Sequence, residues 1–201
     1  MPLSTSAEAP PRAASPTNQN IQSDLTITSG VSGADSLPDF VCFAHLTWDF
    51  VWQRPQHLLS RFAQKGRVFY IEEPFIHHEQ VEPHLEIKER QNGLKVVVAH
   101  LPGGLDEANS NRIQEELLTR YFAENAITKY LFWYYTPMAL DKSRNFQPLL
   151  TVYDCMDELA NFKFAPPRLQ QLEQELFQRA DLVFTGGQSL YEAKSKQHAD
   201  A

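Results

Sequence analysis

From Phe40 onward the chain alternates short apolar runs with segments of helical period, and this alternation constrains the fold more than any other feature. "DFVCFA" at 39–44, "RVFYI" at 67–71, "KYLFWY" at 129–134, "LLTVY" at 149–153 and "LVFT" at 182–185 are too short for helices. They are also too uniformly apolar for strands with one wet face, so they read as strands buried on both sides. Between them, apolar residues recur three and four apart. Leu58, Leu59, Phe62 and Ala63 mark a helix over 55–64, with Pro55 suited to its first turn and Gly66 to its stop. Ile113, Leu117, Leu118, Tyr121 and Phe122 mark one over 110–124, and Leu169, Leu172, Leu176, Phe177 and Ala180 one after Pro166-Pro167. A last helix is expected from Ser189, with Glu192 completing a capping box. Runs at 85–88 and 94–99 flank Asn92-Gly93, a hairpin turn signal. The expectation is an α/β fold: a doubly wound, mostly parallel, Rossmann-like sheet with helices on both faces and one antiparallel hairpin.

Composition divides the chain near Pro38. Residues 1–38 are rich in Ser, Thr, Pro and Ala, and every aromatic residue lies from Phe40 onward. A segment so poor in large apolar groups cannot offset its ordering entropy, so 1–38 is expected to be a disordered tail before one domain at 39–201. Its "LTIT" at 25–28 is the one strand-like run. The net charge of −7 argues against general nucleic-acid binding, which needs a basic surplus. The two cysteines, Cys42 and Cys155, sit in apolar runs and read as buried thiols rather than a disulfide. The sequence shows no secretory signal and no apolar stretch long enough for a bilayer, so a cytoplasmic protein is expected.

In an open parallel sheet, ligands bind beyond the carboxyl ends of the strands. After the first strand come His45, Trp48, Asp49, Trp52 and Arg54, leading into a helix N-terminus that favours anions. The indoles can form a stacking wall there. Alternatively, both are core and Arg54 pairs with Asp49 or Glu72. Asp154 and Asp157 in "YDCMDE" suit acid/base work, sugar hydroxyls or a metal, or simply cap a helix. "TGGQSLYE" places Gly186, Gly187 and Ser189 at a helix start, either as a phosphate cradle or as a tight turn. The histidine-rich "HHEQVEPH" matches no zinc spacing and reads as a solvated loop. Arg54, Arg61, Lys65 and Arg67 around the first helix read as a solvated helix face, with contact to acidic lipid head groups as the weaker alternative. No dinucleotide fingerprint, phosphate-binding P-loop or hydrolase elbow occurs.

"FAHLTWDFVWQRPQHLLSRFA", "VFYIEEP", "TVYDCMDELANF" and "ADLVFTGGQSLYEAK" together resemble the N-terminal half of GT-B-fold glycosyltransferases. The resemblance is to bacterial enzymes of the retaining kind, used in cell-envelope and exopolysaccharide assembly. It implies transfer of a sugar from a nucleotide-sugar to a saccharide or lipid-linked acceptor, with no cofactor and no metal. The acceptor is held by this half and the donor by a second domain, here expected to be absent or supplied in trans, so that the chain alone is inactive. By position, the resemblance puts His45, Trp48, Asp49, Trp52 and Arg54 near the transferred sugar and diphosphate. Asp154 and Asp157 fall on the acceptor side, and Gly186, Gly187 and Ser189 near the domain junction. It assigns no catalytic base. A second reading, a non-catalytic doubly wound module for a sugar, envelope lipid or protein partner, stays open, as does peripheral contact with the inner face of the membrane.

Overall fold

The computed structural model describes residues 37–159, 163 and 166–196. Apart from Leu37 and Pro38, the expected tail and its "LTIT" run lie outside the described residues. Eight strands form one sheet: β1 (Asp39–Phe43), β2 (Val68–Ile71), β3 (Phe75–His77), β4 (His84–Glu89), β5 (Lys95–Pro102), β6 (Tyr130–Tyr134), β7 (Thr151–Cys155) and β8 (Leu182–Thr185). Among the described residues five α-helices accompany them: α1 (Arg54–Phe62), α2 (Glu107–Glu124), α3 (Leu140–Ser143), α4 (Leu169–Arg179) and α5 (Gln188–Lys194).

The strand order β5-β2-β1-β6-β7-β8 is parallel throughout and is the order of Rossmann-type sheets. β1 lies between β2 and β6, in register Cys42↔Tyr70 on one side and Cys42↔Trp133 on the other. β3 continues along the edge of β5 that β2 leaves, also parallel. The hairpin expected around Asn92-Gly93 is present: β4 runs antiparallel to β5, and the turn places Asn92 at φ 59° and Gly93 at φ 71°. Those left-handed values suit Asn and Gly, which carry little or no steric penalty there.

Both sheet faces are covered. On one, Leu59 of α1 and Ala63 at its C-cap pack with Cys42, Tyr70, Trp133 and Val152. On the other, Leu118 and Phe122 of α2, Leu140 of α3 and Leu176 and Phe177 of α4 pack on Val41, Phe69, Phe132 and Tyr153. Both cysteines are buried free thiols. At the far end, Lys194 of α5 is almost fully buried, and its Nζ donates to Glu173 of α4 and Glu158, each at 2.9 Å.

Several boundaries differ from the sequence reading. α2 starts three residues early because the Asp106 carboxylate caps it, accepting from the Asn109 amide at 2.7 Å. β7 starts and ends two residues later than the apolar run, so Asp154 and Cys155 belong to the strand. Three-residue β3 and the short α3, which follows a 3₁₀ turn at Pro137–Ala139, had no periodic signal long enough to read. In α5 the expected capping box is replaced: Gly187 is the N-cap, and Glu192 accepts from Gln188 rather than pairing with Ser189.

Leu59 is fully buried whereas Leu182 is 39% exposed. Leu59→Ala is therefore expected to cost about 2–5 kcal/mol and Leu182→Ala within about 0.5 kcal/mol, measured by urea unfolding.

Candidate functional site

The sheet's winding reverses between β1 and β6, and the loops leaving those two strands diverge there. A cavity of ≈ 570 Å³ lies at this point. His45 and Leu46 reach it from the end of β1, Glu73 from β2, Thr136 and Met138 from β6, and Asp157 and Leu159 from β7. Lys163, Pro166 and Leu169 close it on the side of α4. Apolar side chains make most of the wall, with a few acids, an imidazole, a hydroxyl and a lysine among them, as in pockets for small polar ligands.

Burial lowers the pKa of His45, against the upward pull of the Glu73 and Asp157 carboxylates, and the imidazole is neutral at neutral pH. Its Nδ1 is buried near the Tyr135 backbone without a formed hydrogen bond, while the residue as a whole is half-buried. A neutral imidazole nitrogen can accept a hydrogen bond or a proton from a hydroxyl. Glu73 and Asp157 are exposed carboxylates that accept further hydroxyls. Among the described residues, no group of three or more His, Cys, Asp or Glu is arranged to hold a metal ion.

Of the residues singled out in the sequence, only His45 and Asp157 line this cavity. The Trp48 ring is core, edge-on to Tyr70 with centroids 4.9 Å apart, and offers no open face for stacking. Its backbone holds the loop: the Trp48 amide donates to Glu72 Oε1 at 2.6 Å, and its carbonyl accepts from Gln56 Nε2 at 3.0 Å. Trp52 is 54% exposed and donates through Nε1 to His57 Nδ1 at 2.9 Å. Asp49 is engaged by Arg90 of the β4–β5 turn, whose Nε donates to Oδ1 at 2.9 Å, and not by Arg54.

Arg54 instead reaches across the strand ends to Asp154, with Nη2 3.0 Å from Oδ1. Asp154 is wholly buried, so it is a structural counter-ion and not an acceptor-side group open to ligand. Burial raises its pKa, against the pull of Arg54 and the adjacent Tyr135 and Trp133 polar edges. Gly186 answers to packing: a Cβ there would sit 2.3 Å from the Met156 carbonyl oxygen. Gly187 has extended backbone and open space beside it, and Ser189 is exposed on α5. The histidine-rich run is not simply a solvated loop. His77 ends β3 with Nε2 2.8 Å from His100 Nδ1, and His84 opens β4 stacked on His100, 4.9 Å between centroids. Glu73 and Thr136 were visible as residues following strands. The buried Lys142 behind them stood in a polar run with no sign of burial.

The chain matches no family model and no curated protein sequence. Solved structures overlap it in part. The E. coli structure described as trehalose-6-phosphate bound with UDP-2-fluoro glucose is 9% identical, with TM-score 0.47, covering 77% of this chain and 41% of that one. A Burkholderia xenovorans α,α-trehalose-phosphate synthase (UDP-forming), in complex with glucose-6-phosphate, is 9% identical with TM-score 0.45, covering 72% and 39%. A Burkholderia multivorans α,α-trehalose 6-phosphate synthase is 13% identical with TM-score 0.44, covering 80% and 42%. The chain thus spans about two fifths of the length of these structures.

Removing Arg54 strands the Asp154 carboxylate. Arg54→Ala is expected to destabilise by on the order of 1–3 kcal/mol at pH 7, below the full cost of stranding a buried charge because Arg54 is itself partly solvated. A carboxyl whose folded pKa is raised binds its proton more tightly when folded, so stability falls as pH rises from the ordinary carboxylate range through the folded value. The penalty of Arg54→Ala should therefore shrink toward pH 4, and adding Asp154→Asn should recover most of it at pH 7, both read by urea unfolding.

Proposed function

We propose that the cavity at the divergence of β1 and β6 holds the acceptor of a glycosyl transfer, and that the chain is the acceptor-side domain of a GT-B glycosyltransferase. The donor is a nucleotide-sugar held by a second domain, in the same polypeptide or in trans. The acceptor is a saccharide, free or lipid-linked. The observation that carries this reading is the cavity itself. His45, Glu73 and Asp157, three groups able to accept hydroxyl protons, converge at the strand ends beside apolar walls fit for the C–H faces of a sugar. The quoted sequence stretches and their resemblance to such enzymes agree with it.

The chemistry divides between the sides of a cleft. On this side, the neutral His45 imidazole, or Glu73 or Asp157, accepts the proton of the attacking hydroxyl or orients it for the leaving phosphate to accept. Departure of the diphosphate is stabilised by donors on the other side, with no metal or cofactor invoked. Because the reacting groups meet only when both sides are present, the chain alone is expected to turn over no nucleotide-sugar. Among the described residues no helix is long and apolar enough to cross a membrane. The assignment is to the cytoplasm, with peripheral contact at the inner membrane face through the basic α1 and the exposed Phe50, Val51 and Trp52 beside it.

Heteronuclear NMR titration with a panel of mono- and disaccharides tests the reading. Shifts are expected at Leu46, Glu73, Thr136 and Asp157, with His45→Ala and Asp157→Asn each weakening binding about tenfold while the fold is retained. Saccharides that leave these residues unmoved, or variants that bind as the parent does, would overturn it and favour a module for another kind of partner.

A further inference from the structure

Behind the main cavity lies a smaller one of ≈ 160 Å³, which shares Glu73, Thr136 and Met138 with it. Its inner wall is Lys142 of α3 and one face of the first two turns of α2, Ser110 and Gln114 among them. Lys142 is 6% exposed. Its Nζ donates to Gln114 Oε1 at 2.9 Å, the partner it has among the described residues. The Gln114 amide is held in turn: Nε2 donates to Ser110 Oγ at 3.2 Å and to the Ser110 carbonyl at 3.3 Å. The amide oxygen is thereby committed to the lysine.

This is an unusual way to keep an ammonium out of water. A buried cation is normally offset by a carboxylate, and a single neutral amide leaves most of its donors and all of its charge uncompensated. Among the described residues none of the acids nearby forms an ion pair with it, and Glu73 alone offsets part of the charge from across the pocket. Glu107 faces Arg168 at 3.7 Å, and Asp141, next in the chain, is held by Arg144 and Arg168. Glu73 stands exposed on the wall that the two cavities share.

We propose that this side pocket is a subsite for the carboxylate of an acidic sugar, with Lys142 Nζ as its counter-ion. The inference rests on the main cavity being a saccharide site: the sugar ring occupies that cavity and its carboxylate passes Glu73 and Thr136 into the smaller one. One positive charge balances one negative charge. Glu73 and Glu107 along the wall disfavour the second charge of a phosphate monoester, which selects the monoanion. Burial pulls the Lys142 pKa down to about 8, with Glu73 opposing. The lysine is thus charged at neutral pH but loses its proton well below the range of a surface lysine, and recognition should be lost with it.

Glucose, glucuronate and glucose 6-phosphate, each titrated into the whole chain by NMR, test the proposal. Glucuronate should bind about tenfold more tightly than glucose at pH 7. That preference should decline as pH rises through about 8, and should vanish in Lys142→Met, a near-isosteric change that removes the charge while glucose binding persists. The pH arm needs no variant and stands if Lys142→Met fails to fold. Equal binding of glucose and glucuronate, a preference that survives Lys142→Met or holds to pH 10, or tighter binding of the 6-phosphate would overturn the subsite and leave the saccharide cavity standing. No perturbation of the cavity by any of the three sugars would defeat the acceptor reading, and this inference with it.

Discussion

Two parallel ladders on one strand organise the molecule. β1 pairs with β2 along one edge and with β6 along the other, so the chain must wind outward from it in opposite directions. Every crossover on one side carries its connection away from those on the other, so the segments leaving β1 and β6 part from each other at the carboxyl end of the sheet. The cavity follows from that divergence. The strand itself can afford no polar interior, since Val41 and Cys42 are wholly buried between two helical layers.

The dense stretch after β1 gains its order from the same place. Leaving the sheet at Ala44, the backbone must descend to α1 without burying unpaired amides. Glu72 accepts the Trp48 amide, Gln56 donates to the Trp48 carbonyl and also accepts from the Gln53 amide, and Tyr70 donates to the Leu46 carbonyl at 2.9 Å. Trp48 fills the space beneath this network. Thus one indole belongs to the core and its near neighbour Trp52 to the surface, although the two are indistinguishable by type and context in the sequence.

Much of the fold was legible because both-face burial leaves an uninterrupted apolar signature, and each run so marked became a strand. What sequence could not supply was register against distant partners. The run "LLTVY" suggests a strand ending at Tyr153, but Leu149 is 66% exposed and the strand continues through Asp154. A carboxylate is tolerated there because Arg54, a hundred positions earlier, arrives at it, with the Tyr135 and Trp133 polar groups beside it. Lys142 is the same lesson in the opposite direction. Set in the polar run Asp141 to Arg144, it reads as solvated, yet a 3₁₀ turn and a single turn of helix carry it inward to an amide on α2. Of the candidate site, His45 and Asp157 could be found because they directly follow strands. The second pocket depended on packing between helices with no periodic mark.

The close approach at Gly186 also has a mechanical side. With no room for a methyl group between it and Met156, the segment leaving β7 and the segment leaving β8 touch backbone to backbone. Glu158, next to Asp157, is tethered to Lys194 as well. The cavity wall bearing Asp157 is therefore held at two points, one in the turn that precedes α5 and one at Lys194 within it. A side chain forced in at Gly186 would part the two segments, and the wall bearing Asp157 would lose its footing with them.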